Sequence, residues 1–257
     1  MGIIINYLRN YEDMSNQAAA IVAETLKAKP NAVLGLPTGS TPVGMYKKLI
    51  EMQKTEGCNP FWTEKIDFSK VTTFNLDEYY PIKKDNSQSY YKFMFDNFFG
   101  GINIDPQNIN IPDGEAENAD LECCNYERKI NQAGGIDLMV LGIGANGHIG
   151  FNEPGSFLIP YTHVANLTEN TINANARFFD SADDVPKTAL TMGMGSIIAK
   201  SRKILLLVSG ESKRDVFMKF LYEGNINTGN PATFLYLHNN VTVLSDTADD
   251  EENENED

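Results

Sequence analysis

The sequence predicts one α/β domain built on a parallel sheet, and three observations carry that prediction. β-rich segments alternate with segments of helical periodicity along most of the chain. The strand candidates are near-continuous apolar runs, as expected of strands covered on both faces. No internal repeat and no Pro-, Gly- or Ser-rich linker divides the 257 residues.

Taken in order, GIIIN (2–6) reads as a strand, and YEDMSNQAAAIVAETLKAK (11–29) is a helix stopped by Pro30. AVLGL (32–36) is a strand, PTGSTP a loop, and VGMYKKLIEMQKTEG (43–57) a helix with Thr41 as its cap and Pro42 in its first turn. KVTTFNL (70–76) is a strand, and SQSYYKFMFDNFF (87–99) and ENADLECCNYERKINQAGG (117–135) are helices, the second ended by Gly134. IDLMVLGI (136–143) and RKILLLVSG (202–210) are strands, ESKRDVFMKFLYEG (211–224) a helix, and NVTVLSD (240–246) the last strand. The expected organisation is a catalytic body over 1–244 and an acidic tail over 245–257.

Composition narrows the function. Net charge is −14, and the last twelve residues, DTADDEENENED, hold eight acidic groups and no basic one, so the remainder carries −14 + 8 = −6. Such a run repels itself and reads as a solvated tail. An acidic surface argues against nucleic acid and anionic membrane as partners, and no apolar run reaches the roughly 20 residues of a membrane span. The three cysteines, Cys58, Cys123 and Cys124, are odd in number and lack framework spacing, which fits a reducing cytoplasm.

In open parallel sheets ligands sit beyond the carboxyl ends of the strands. Four segments follow predicted strands there. In PTGSTP, Gly39, Ser40 and Thr41 are small residues at a helix start, suited to an anion; an ordinary capped turn accounts for them equally well. In NLDEYY, Asp77 and Glu78 follow a strand, where a carboxylate can take a carbon-bound proton next to a carbonyl or simply sit in a solvated turn. In GANGHIGFNEP, His148 and Glu153 lie within a few positions of each other. Gly142, just before that segment, with Gly144 and Gly147 approaches the dinucleotide fingerprint without completing it, so no nucleotide cofactor is expected. In SGESKR, Lys213 and Arg214 open a helix, an uncommon place for cations unless an anion binds. No recognised metal-ligand spacing occurs.

GLPTGSTP, VTTFNLDEYY, GIGANGHIGFNEPGS, ANARFF, VPKTALTMGMGSI and PATFLYLH together resemble the glucosamine-6-phosphate deaminase family, in order and over roughly residues 3–244. The resemblance implies a Rossmann-like α/β fold of the sugar-phosphate isomerase type. It also implies conversion of glucosamine 6-phosphate and water to fructose 6-phosphate and ammonia, a hydrolytic step of amino-sugar catabolism without a cofactor. By position it implies Asp77 as the base at carbon, His148 as the ring-opening acid/base and Glu153 as its orienting partner. It implies Gly39, Ser40, Thr41, Arg177 and Lys213 around the phosphate, and a lid over LTENTINANARFFD (167–180).

Two departures follow. Asn146 stands where some members of the family have Asp in a ring-opening relay; Asn can hydrogen-bond but cannot take a proton. His163 and Ala165 stand where effector-binding basic residues would align, so hyperbolic kinetics are expected. Self-association is left open. The rival readings are a 6-phosphogluconolactonase-type hydrolase, which is not expected to carry FNEP or FNLDEY, and a non-catalytic sugar-phosphate sensor, against which stand the lack of a helix-turn-helix segment or basic region and the presence of Asp77, His148 and Glu153.

Overall fold

The computed structural model describes residues 2–54, 65–168, 172 and 185–247. Cys58, Arg177, most of the expected lid and residues 248–257 lie outside the described residues.

Seven strands form a sheet in the order β1-β10-β9-β6-β2-β3-β5, every neighbouring pair parallel. The strands are β1 (Ile3–Tyr7), β2 (Val33–Leu36), β3 (Thr72–Asn75), β5 (Ile109–Asn110), β6 (Leu138–Gly142), β9 (Ile204–Val208) and β10 (Val241–Ser245). From β2 the chain steps through β3 and β5 towards one edge, and from β6 it steps through β9 and β10 towards the other. The direction reverses between β2 and β6, which is where an open parallel sheet leaves a crevice at its carboxyl ends.

Side chains of a strand alternate between faces, so each central strand feeds two cores. Leu138, Val140, Leu205 and Leu207 join one core with Met14, Val22 and Leu26 of α1 (Tyr11–Ala28), and with Met45, Tyr46 and Leu49 of α2 (Val43–Lys54). Met139, Leu141, Leu206 and Val208 join the other. That second core takes Tyr126 and Ile130 from α4 (Ala119–Gln132), Ile197 from α5 (Met194–Lys200), and Phe217 and Phe220 from α6 (Arg214–Tyr222).

Three points differ from the sequence reading. DEYY is not a loop: Asp77–Tyr80 is β4, which with β8 (Thr188–Thr191) and β7 (His163–Asn166) forms a second, antiparallel sheet in the order β4-β8-β7. These strands are four residues each and carry no apolar run, so periodicity misses them. Helix α2 also starts later than a Thr41 cap would place it: it runs from Val43, and the Pro42 carbonyl accepts from Tyr46 N at 3.0 Å. At the C-terminus β10 reaches Ser245, and Thr247 is still buried, so the folded body continues past residue 244.

Glu127 on α4 ties the second sheet to the first. Its Oε1 accepts from Thr162 N at 2.8 Å, Thr162 Oγ1 at 2.7 Å and Ser196 Oγ at 2.6 Å, and Lys200 Nζ pairs with Oε2. Burial alone would raise this carboxyl, but the Lys200, Ser196 and Thr162 donors outweigh it and hold it below the usual range. Replacing Glu127 by Ala leaves Lys200 without its partner and is expected to cost about 3 kcal/mol. Urea unfolding should show a lower midpoint at unchanged slope; an unaltered midpoint would mean the network contributes nothing.

Candidate active site

The loops that leave β9, β6, β2 and β3 emerge side by side, because those strands are consecutive in the sheet. They bring Lys213, the 143–153 loop, Gly39–Thr41 and Asp77 to one end of the molecule.

Asp77 opens β4, where the chain passes from the parallel sheet into the antiparallel one. It is 6% exposed and pairs in register with Thr191. Burial, and then the neighbouring Glu78 charge, push its carboxyl up to about 8. Such a group is largely protonated at neutral pH and becomes an effective base just above it. Glu78 is 2% exposed and points elsewhere. Its carboxylate accepts from Tyr79 N and Tyr90 N through Oε1 and from Tyr91 N through Oε2, at 2.8–2.9 Å. It therefore caps α3 (Tyr90–Asn97) alongside Ser89, whose hydroxyl accepts from Lys92 N. Burial raises Glu78 to about 7 against the pull of those three N–H groups.

The β6 loop folds back on itself so that its chemistry converges. Gly147 has φ +88°, a region closed to most side chains, and its N–H donates to Gly144 O at 2.9 Å. The His148 ring then lies directly over Gly144: a Cβ there would fall 2.2–2.4 Å from the ring atoms, so only glycine fits. His148 Nδ1 stands 3.6 Å from Glu153 Oε2, an ion-pair distance longer than a hydrogen bond. Asn146 brackets the two. Its Nδ2 donates to Glu153 Oε2 at 2.7 Å, and its Oδ1 accepts from His148 N at 3.2 Å.

This loop touches the Asp77 carboxylate. A Cβ at Gly150 would lie 3.2 Å from Asp77 Oδ2 and 2.9 Å from Thr191 Oγ1. Phe151 N donates to Thr191 Oγ1, and Asn152 Nδ2 donates to Met192 O and Ile149 O. Phe151 also packs on Tyr79 and Tyr90, with ring centroids 5.7 and 6.0 Å away. Tyr90 in turn packs on Tyr79, with ring centroids 4.8 Å apart.

Asn230 closes the far side. Ala232 N donates to Gly147 O at 2.9 Å, and the Asn230 carboxamide abuts Gly147, where a Cβ would fall 2.2 Å from Asn230 Oδ1. Gly155 N donates to Thr228 O at 3.1 Å, so the 227–232 stretch holds both ends of the His148–Glu153 segment. Sequence reading missed Asn230, Thr191 and Tyr90; they lie 43 to 82 positions from His148, and only the tertiary fold brings them to it. Lys213 sits at the end of a 3₁₀ turn, Glu211–Lys213, before α6, and its burial lowers its ammonium below the usual lysine range. Among the described residues no group of three or more His, Cys, Asp or Glu is placed to hold a metal.

A family model described as glucosamine-6-phosphate isomerases/6-phosphogluconolactonase matches residues 9–244. The chain belongs to that family. A glucosamine-6-phosphate deaminase of Thermoanaerobacter sp. (strain X514) is 55% identical over 92% of this chain and 90% of the relative. One of Clostridium botulinum (strain Loch Maree / Type A3) is 53% identical over 92% and 93%. The solved structure of a monomeric glucosamine-6-phosphate deaminase superposes with TM-score 0.86 at 46% identity, covering 95% of this chain and 97% of that one. A Thermotoga maritima 6-phosphogluconolactonase superposes with TM-score 0.70 at 22% identity, covering 95% and 98%, which shows a shared fold alone. Within the family, the similarity is far greater on the deaminase side.

Two substitutions test the electrostatics. Glu78→Gln removes the negative charge beside Asp77, so Asp77 ionises at lower pH and the acid limb of the kcat/KM profile moves down; a limb that stays put would exclude the coupling. Asn146→Asp sets a second carboxyl at hydrogen-bond distance from Glu153, so the pair must share a proton and the profile shifts upward. An unchanged profile would remove Asn146 from proton handling.

Proposed function

We propose that this chain converts glucosamine 6-phosphate and water to fructose 6-phosphate and ammonia. The observation that carries the reading is the meeting of a buried, high-pKa carboxyl at Asp77 with the His148–Asn146–Glu153 loop, in a chain 55% identical to a glucosamine-6-phosphate deaminase.

The chemistry needs two proton-handling groups. The sugar is cyclic, so a proton must first move between O1 and the ring oxygen; His148, partly exposed and held by Asn146 beside Glu153, takes that role. In the open aldehyde the C2 proton is acidified by the neighbouring carbonyl. Asp77 removes it, leaving a C1–C2 enolamine, and returns the proton to C1. The product is a C1 alcohol with an iminium at C2. Water adds at C2 and ammonia leaves, giving the ketose. Gly39, Ser40, Thr41, Lys213 and Arg177 hold the phosphate, remote from the reacting carbons, and supply positioning. A cytoplasmic place in N-acetylglucosamine catabolism fits the cysteine usage and this substrate.

The test is ammonia release from glucosamine 6-phosphate, with Asp77→Asn beside the parent protein. Release by the parent and a loss of at least about 1000-fold in the variant are expected. No release, with 6-phosphogluconolactone hydrolysed instead, would transfer the site to the other activity of the family.

A further inference from the structure

Two residues at the outer edge of the sheet reach the two loops that the phosphate reading needs: Tyr11, and Asp246, the first residue of the acidic run that the sequence reading took for a solvated tail. Tyr11 opens α1, four residues beyond β1. Its hydroxyl donates to Ser40 O at 3.1 Å and accepts from Gly44 N at 2.8 Å, so it spans the β2 loop from the Gly39–Thr41 turn to the first turn of α2. Helices α1 and α2 are in close contact there: a Cβ at Gly44 would fall 2.1 Å from Ser15 Oγ and 3.0 Å from Tyr11 Cζ. Asp246 follows β10 directly. Its Oδ2 accepts from Ser209 Oγ at 2.6 Å and its Oδ1 from Gly210 N at 3.0 Å, while its own N–H donates to Val208 O at 3.2 Å. Gly210 has φ +89° and accepts from Lys213 N at 2.9 Å, so Asp246 fastens the turn that presents Lys213.

The two pins share an origin. Strands β1 and β10 are neighbours, with Tyr7 opposite Ser245, and Leu8 N donates to Ser245 O at 2.7 Å. The chain therefore leaves both strands at the same end, beside the β9 loop. Between β9 and β2 only β6 intervenes, a separation of about 10 Å at the usual strand spacing. Lysine and the phosphate it grips can bridge that distance from one loop to the other.

We propose that Tyr11 and Asp246 are positioning residues of the phosphate subsite, one for each of its two loops. The inference rests on the phosphate reading given above. Backbone N–H groups bind an anion well only when they already converge on it, because ordering a loop at the moment of binding costs affinity. Asp246 is itself anionic and would repel a nearby phosphate if its charge acted directly. Its hydrogen bonds instead turn the carboxylate onto Ser209 and Gly210, so the positioning effect dominates. Since the phosphate is remote from the reacting carbons, loosening either loop weakens binding more than it slows the chemistry.

The experiment measures kcat and KM for glucosamine 6-phosphate, and the inhibition constant of inorganic phosphate, in the full chain and in Tyr11→Phe, Asp246→Asn, Asp246→Ala and the Tyr11→Phe/Asp246→Ala pair. Expected are rises of about 5- to 10-fold in KM and in the phosphate constant for Tyr11→Phe and Asp246→Ala, with kcat within about 2-fold. Asp246→Asn, which keeps an acceptor for Gly210, should show a smaller rise, and the double variant a near-multiplicative one because the loops are separate. A KM that is unchanged or lowered, or a loss confined to kcat, overturns the proposal; a lowered KM in Asp246→Ala would mean charge repulsion governs. Thermal unfolding of each variant identifies any that fail to fold, and Tyr11→Phe and Asp246→Asn, the gentlest changes, then decide. If the parent protein releases no ammonia, the deaminase reading fails separately, and stabilisation of parent and variants by inorganic phosphate still tests the two pins.

Discussion

The burial of one carboxyl, Asp77, at the junction of the two sheets is the constraint on which the site depends. Water is excluded there by Thr191, its register partner on β8, and by the Gly150 turn, and the cost of a buried charge lifts the group to about 8. The same burial works against stability at high pH. An acid whose folded pKa lies above its unfolded value of about 4 favours the native state while protonated. That contribution is complete below pH 4 and is lost as pH rises through about 8, where Asp77 ionises. Reactivity as a base and native stability thus change in opposite directions over the same interval.

Everything else in the site answers that burial. The β6 loop must approach Asp77 closely enough to cover it, and Gly144, Gly147 and Gly150 let the backbone do so. What keeps so compact a loop in place is contact from three sides. Thr191 and Met192 hold it through Phe151 and Asn152, Tyr90 stacks on Phe151 while Tyr79 packs against it at a tilt, and Thr228 and Ala232 bond Gly155 and Gly147. Glu78 contributes twice, since it caps the helix that carries Tyr90 and raises the carboxyl beside it. The reversal of strand order between β2 and β6 is what lets loops from both halves of the chain meet at this point.

The major strands and helices of the parallel layer were legible because each is buried in a regular way. ILLLV in β9 and LMVLG in β6 are apolar on both faces, and α1 repeats small apolar residues at helical spacing. The second sheet was not legible. HVAN and TALT are short and mixed in polarity, and their burial comes from neighbours distant in the chain rather than from any period of their own. For the same reason DEYY read as a turn although it is a strand.

The sequence by itself determined the fold class, the segments that end at the sheet's carboxyl edge, and the residue types Asp77, His148 and Glu153 that could do acid–base chemistry, since local pattern and side-chain chemistry suffice for those. Only the tertiary structure decided that Asp77 is buried, that Glu78 caps a helix, that Asn146 links His148 to Glu153, and that Tyr11 and Asp246 grip separate loops. A pKa depends on the solvent and charge around a group, and a hydrogen bond on the meeting of two atoms. Both are properties of position in space, which residues far apart in the chain acquire only when the sheet assembles.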